Sequence, residues 1–343
     1  MKWWSDLWLN EGFASYIEFK GVTAAMPDWE LEDQFTIDTL HGILNLDATL
    51  GSHPIVVGVE TPDQITEIFD SVTYSKGASV IRMIEDFIGP AKFQEGISQY
   101  LEANKFKNAD SNDLVEWLDP KIEEDVTSIV NTWIRQKGYP VVTVAQEGDN
   151  TFRLTQKRFL TDPESEAKET LVSEYNYKWS IPITYITSAN STDVKREWFF
   201  HNINEITITV DGPIDWIKFN KDQVGYYRVK YDESMWKKLN DALEADIGSM
   251  TVLDRAHLLN DAFSLAEGLQ VPYDTALTMT SYLKLETHFV PWDVASSKIK
   301  GIRNLLYYTE LYPKFKEYAV NLVDDAFTNL SLTTIVPAQH NVK

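Results

Sequence analysis

Residues 3–16 read WWSDLWLNEGFASY, Trp3 to Tyr16, and this stretch decides how the rest of the chain is read. Leu9, Phe13 and Ile17 recur at four-residue spacing, the period of an amphipathic helix, with Glu11 carried on the same helix. A second dense stretch follows at Ile68–Gly89, IFDSVTYSKGASVIRMIEDFIG, where Tyr74 falls at a loop-to-helix junction. Taken alone, Glu11 reads as a helix-surface carboxylate and Tyr74 as a buried junction tyrosine.

Outward from these stretches, the chain is one of a folded protein. Its 343 residues are enough for two or three domains, with 43% hydrophobic and 13% aromatic residues. The formal charge of −21 argues against binding nucleic acid, whose phosphates it would repel. The absence of cysteine excludes disulfides, thiolate nucleophiles and Cys-ligated metal within the chain. No apolar run is long enough to span a membrane, and the first residues do not pattern as a signal peptide. Two N-glycosylation sequons occur, Asn190-Ser191-Thr192 and Asn329-Leu330-Ser331.

The apolar period divides the chain into three. Up to about Lys137 it is helical: Ile81, Ile84 and Ile88 mark one helix, and Phe93, Ile97 and Leu101 another. Asp110-Ser111-Asn112 opens a third helix, and Pro120 a fourth carrying Val126, Ile129, Val130 and Trp133. At Gly138-Tyr139-Pro140 the texture changes to short β-branched and aromatic runs, through VVTV to GYYRVKYD, as in an antiparallel sandwich. After Tyr231 helices return at Met235–Leu243, Arg255–Glu267, Tyr273–Leu285 and Val290–Leu306, paired as in a solenoid. The expected class is α+β multidomain, divided at 1–137, 138–231 and 232–343.

The six histidines, at 41, 53, 201, 257, 288 and 340, are never three or four residues apart. No helix can therefore present two imidazoles on one face, and HExxH is absent. His53 reads as structural. Even so, the Trp3–Tyr16 stretch closely resembles the segment that follows HExxH in the aminopeptidase N family of zinc metallopeptidases, the M1 group. The Ile68–Gly89 stretch is similar to that family's FDAISYSKGASVIRML segment. TLGSHPIVV around His53 and Arg255–Leu283 extend the likeness over nearly the whole chain.

The resemblance implies a zinc aminopeptidase acting on peptides with a free N-terminus. It makes Glu11 a zinc ligand, Tyr74 the donor to the tetrahedral intermediate, and Phe69 a wall of the pocket for the N-terminal side chain. Asp6 would orient a ligand histidine, or else sit at the surface or cap a helix. It further implies the helical part of a thermolysin-like catalytic domain, then a β-sandwich, then an incomplete α-helical superhelix. HExxH and the amine-binding GxMEN segment are missing, so the expectation is a central slice of a larger enzyme, inactive alone. Apolar residues such as Trp3, Trp4 and Leu7 would then be uncovered. The alternative is a non-catalytic binding module. The likeness places the protein at the extracellular side of the plasma membrane, with the cytoplasm as alternative. Any membrane anchor would lie outside this chain, and a homodimer is allowed for the whole protein.

Overall fold

A computed structural model describes residues 1–329. The sequon Asn329-Leu330-Ser331, His340 and the expected end of the helical array extend outside the described residues. The first helices are α1 (Trp8–Ala25), α2 (Leu31–Phe35), α3 (His41–Asp47), α4 (Pro62–Glu67), α5 (Gly77–Ile88), α6 (Pro90–Ala103), α7 (Ser111–Leu118) and α8 (Val126–Ile134). A five-residue π turn, Val72–Lys76, runs directly into α5, and another, Thr36–Leu40, joins α2 to α3.

Local chemistry explains most boundaries. Asp110 caps α7 by accepting from the Asn112 and Asp113 amides at 3.0 and 3.1 Å, and Asp113 reaches back to complete a capping box. Pro120 does not open the next helix. It sits in a 3-10 turn, Asp119–Lys121, and α8 starts at Val126 because the Asp125 carboxylate caps Ser128.

The buried stripe of α1 also differs from the expected one. Trp8, Gly12 and Tyr16 face the interior. Leu9, Phe13 and Ile17 instead line an open groove of about 900 Å³, opposite Phe93, Ile97 and Leu101 of α6. Leu7, expected to be uncovered, is only 2% exposed because it packs against Val59 and Ile68. Trp3 is exposed as expected, although its indole N–H donates to the Val59 carbonyl.

Seven strands follow: β1 (Pro140–Gln146), β2 (Thr151–Arg158), β3 (Ile181–Thr187), β4 (Asn190–Phe199), β5 (Glu205–Thr209), β6 (Ile217–Phe219) and β7 (Arg228–Lys230). They form sheets of order β5-β2-β1-β7 and β4-β3-β6. The pairing is antiparallel except between β1 and β7, which are parallel. That correction follows from connectivity: a strand reached only after a long crossover can join the sheet in either direction. Phe152 of one sheet meets Phe219 of the other edge-on, with centroids 6.3 Å apart.

The chain then returns to helices: α9 (Glu233–Ala245), α10 (Val252–Glu267), α11 (Tyr273–Thr278), α12 (Phe289–Leu306) and α13 (Tyr312–Asn329). The single helix expected over Tyr273–Leu285 is broken after Thr278 into α11 and a 3-10 turn, Ser281–Leu285.

One continuous apolar core runs through all three stretches. Trp133 from α8 packs on Trp179 and Tyr226, and Tyr139 at the junction packs on Phe159 and Tyr226. Charged groups join the parts as well. The buried Arg228 of β7 pairs with Asp261 of α10 at 2.8 Å, and the buried Lys218 of β6 pairs with Asp254 at 2.6 Å.

Candidate functional site

The candidate site is made where α1 crosses the π turn and the start of α5. The crossing is glycine on glycine. A Cβ on Gly12 would lie 3.1 Å from the Gly77 carbonyl carbon, and one on Gly77 would lie 3.3 Å from Gly12 Cα. Two backbones can approach this closely only where neither helix carries a side chain. Glu11 precedes one of these glycines and Tyr74 lies one turn before the other, so the same contact that packs the helices sets carboxylate beside phenol.

Glu11 and Tyr74 are each half-buried. Burial, and then the Glu11 carboxylate beside it, raise the Tyr74 phenol above its ordinary pKa. Tyr74 is therefore a protonated donor throughout the neutral range. Its place on a π turn was not foreseen, and such turns are rare and concentrate at functional positions.

Phe69 is 45% exposed and tilts against Trp4 with ring centroids 6.1 Å apart. It is a surface aromatic rather than a core residue. Asp6 is buried and accepts from the Ser111 amide at 3.1 Å and from the Ser111 hydroxyl. It thereby ties the start of α1 to the start of α7, and its burial corrects the surface alternative.

Two residues that sequence reasoning passed over hold the segment bearing Tyr74. Asp70 Oδ1 accepts from the amides of Val72 at 2.9 Å and Thr73 at 3.1 Å, and the Asp70 carbonyl accepts from the Tyr74 amide at 3.0 Å. At the other end Lys76 is wholly buried, 2.8 Å from the Asp47 carboxylate and 3.0 Å from the Gly138 carbonyl. Burial lowers the Lys76 pKa and Asp47 opposes that fall. The Asp-x-Val-Thr spacing, a local capping pattern, and glycines inside helical periods were the available signals.

A catalytic zinc takes about three protein ligands and keeps one position open. Among the described residues no group of three His, Cys, Asp or Glu side chains is placed to hold a metal. Glu11 brings one carboxylate and Tyr74 a phenol. The described residues do not by themselves fit zinc.

Residues 1–133 match the peptidase family M1 domain, and residues 216–340 match the ERAP1-like C-terminal domain. The chain belongs to peptidase family M1. It is 41% identical over 330 residues to a glutamyl aminopeptidase of Bitis rhinoceros, covering 94% of this chain and 34% of that protein. The human glutamyl aminopeptidase is 39% identical over 322 residues, covering 93% of this chain and 33% of the relative. Aminopeptidase N of Mus musculus is 37% identical over 336 residues, 95% of this chain and 34% of the relative. The chain thus spans about a third of the length of the curated M1 relatives it matches. Glu11, Tyr74 and Phe69 all lie within the stretch that matches the M1 domain.

Proposed function

We propose that this chain belongs to a zinc-dependent aminopeptidase that removes N-terminal residues from peptides. Glu11 offers one carboxylate to the metal, Tyr74 donates a hydrogen bond to the oxyanion developing on the scissile carbonyl, and Phe69 gives the N-terminal side chain an apolar wall. The imidazole ligands and a general base are supplied by residues that these 343 do not include. The observation that carries this reading is the Glu11 carboxylate beside the Tyr74 phenol, next to the Gly12–Gly77 contact and within the stretch matching the M1 domain.

The same reading divides the chain at 1–137, 138–231 and 232–343. In support, helix gives way to strand between Ile134 and Pro140, and strand to helix between Lys230 and Glu233. It also places the protein at the outer face of the plasma membrane. No helix among the described residues is long and apolar enough to cross a membrane.

The test compares the 343-residue chain with the same chain joined to an HExxH-bearing segment from a relative. The isolated chain neither retains zinc nor cleaves a leucine anilide, whereas the joined protein does both. In the joined protein Tyr74→Phe lowers turnover about 10²–10³-fold, as loss of an oxyanion donor does. Glu11→Ala abolishes stoichiometric zinc. A joined protein that binds zinc and turns over regardless of both substitutions refutes the roles given to Glu11 and Tyr74, and one that folds but neither binds zinc nor turns over leaves the non-catalytic binding module as the better description.

A further inference from the structure

His53 lies on the loop between α3 and α4, and both of its ring nitrogens face acceptors. Nδ1 is 2.7 Å from the Pro54 carbonyl oxygen and Nε2 is 2.9 Å from Asp70 Oδ2. A neutral imidazole can donate from only one nitrogen, so two acceptor partners are both satisfied only by the imidazolium. The ring is half-buried, with 26% of its side chain exposed. Its charged neighbours are Asp70, which favours the cation, and Lys76, which opposes it. Although burial works against the charge, the Asp70 and Pro54 hydrogen bonds leave the His53 pKa above 6.5. Burial likewise works against the Asp70 charge, but His53 and the Val72 and Thr73 amides hold its carboxyl below the usual carboxylate value.

The carboxylate that grips His53 with one oxygen holds the first amides of the Tyr74 turn with the other. We propose that His53 is a positioning residue: bound between the Pro54 carbonyl and Asp70, its imidazolium locks the turn that carries Tyr74, and so sets the phenol against Glu11. The path is a continuous chain of bonds, from imidazolium to carboxylate, from carboxylate to the Val72 and Thr73 amides, and from the Asp70 carbonyl to the Tyr74 amide. The far end of the turn is fixed independently by Lys76 and Asp47. Loss of the His53 charge therefore loosens the near end alone and tilts Tyr74 rather than unfolding the segment.

The sign follows from the raised pKa. The locked state is complete below 6.5, the ordinary histidine value, and is lost as pH rises through the higher value His53 has in the folded chain.

This inference rests on the reading of Tyr74 as a functional phenol, and its test needs neither zinc nor turnover. The full 343-residue chain is labelled with 13C at histidine Cε1 and tyrosine Cζ and titrated by NMR from pH 5.5 to 8.5. The Tyr74 signal is assigned by its loss in Tyr74→Phe. The expected result is a His53 midpoint above 6.5 and a Tyr74 shift with the same midpoint. Asp70→Asn keeps a capping oxygen for the turn but removes the charge, so the His53 midpoint falls. His53→Gln abolishes the Tyr74 inflection while circular dichroism stays unchanged. A Tyr74 signal that ignores the His53 midpoint in the unsubstituted chain overturns the inference, whether or not either variant folds. Glu11→Gln separates the two ideas. If it leaves the Tyr74 signal in place, the pairing of Glu11 with Tyr74 is wrong, whatever His53 does.

Discussion

Replacing Gly12 with alanine tests the glycine crossing most directly. The new methyl carbon would meet the Gly77 carbonyl carbon at 3.1 Å, Gly77 Cα at 3.2 Å and the Ala78 nitrogen at 3.3 Å. All three are backbone atoms of a neighbouring helix, so no side chain can rotate aside. Carbon atoms rest at about 3.5–4.0 Å, so α1 and α5 must part by roughly half an ångström at that point. Overpacking of this kind costs about 1–3 kcal/mol. Alanine also recovers about 1 kcal/mol of helix propensity relative to glycine, which offsets part of the loss.

Gly21, in the same helix, provides the control, because nothing lies within 4 Å of a Cβ built there. Gly21→Ala should gain the propensity and pay no steric cost. The difference between the two variants isolates the crossing and should be about 1–3 kcal/mol. It is read as the gap between their melting temperatures, on the order of 2 °C per kcal/mol. The Tyr74 Cζ signal gives a second reading, which should move in Gly12→Ala and stay still in Gly21→Ala. If Gly12→Ala stabilises the chain as much as Gly21→Ala, the two backbones do not touch and the reasoning fails.

The buried Lys76–Asp47 pair gives a larger effect. Lys76→Met strands the Asp47 carboxylate in the core, and should cost about 3 kcal/mol, near the low end for a broken buried pair, because the Ser52 hydroxyl, Gly138 amide and Tyr226 hydroxyl still donate to it. Adding Asp47→Asn should restore part of the loss in the same melting assay. His41 should govern acid stability. Burial, only partly offset by the 2.7 Å hydrogen bond to Gln223, pushes its pKa down to about 3, so the folded chain holds it neutral while the unfolded chain protonates it below 6.5. Its stabilising contribution is complete above 6.5 and is lost as pH falls toward about 3. His41→Gln should therefore narrow the difference in melting temperature between pH 7 and pH 4.5, and an unchanged difference would count against a neutral buried imidazole.

Much of the architecture could be read from local pattern. Ile81, Ile84 and Ile88 announce α5, Asp110 announces the start of α7, and Pro140 marks the change from helix to strand, because each signal acts within one turn of chain. What escaped depends on distant partners. The parallel placing of β7 beside β1 joins residues far apart in sequence, and period-two patterning carries no direction. Leu9, Phe13 and Ile17 have a flawless helical repeat but face a groove, since an apolar stripe says that a face is apolar and not what covers it. For the candidate site, Glu11, Tyr74 and Phe69 could be named from resemblance alone. Gly12, Asp70 and Lys76 could not, because their work is to bring helices together, and that becomes visible only once the neighbouring backbone is in place.

Asp47 has a consequence for how the chain comes off the ribosome. Its carboxylate collects Lys76, the Gly138 amide and the Tyr226 hydroxyl, and Tyr226 lies 179 residues further along the chain. At about 5–20 residues per second, synthesis reaches Tyr226 roughly 10–40 s after Asp47. For that interval the lysine of the Tyr74 turn and its counter-ion have no complete low-dielectric enclosure. The helices that carry Glu11 and Tyr74 are thus made well before the tyrosine from the β-region that completes this enclosure, and nascent chains stalled before residue 226 should be the ones that chaperones and proteases meet.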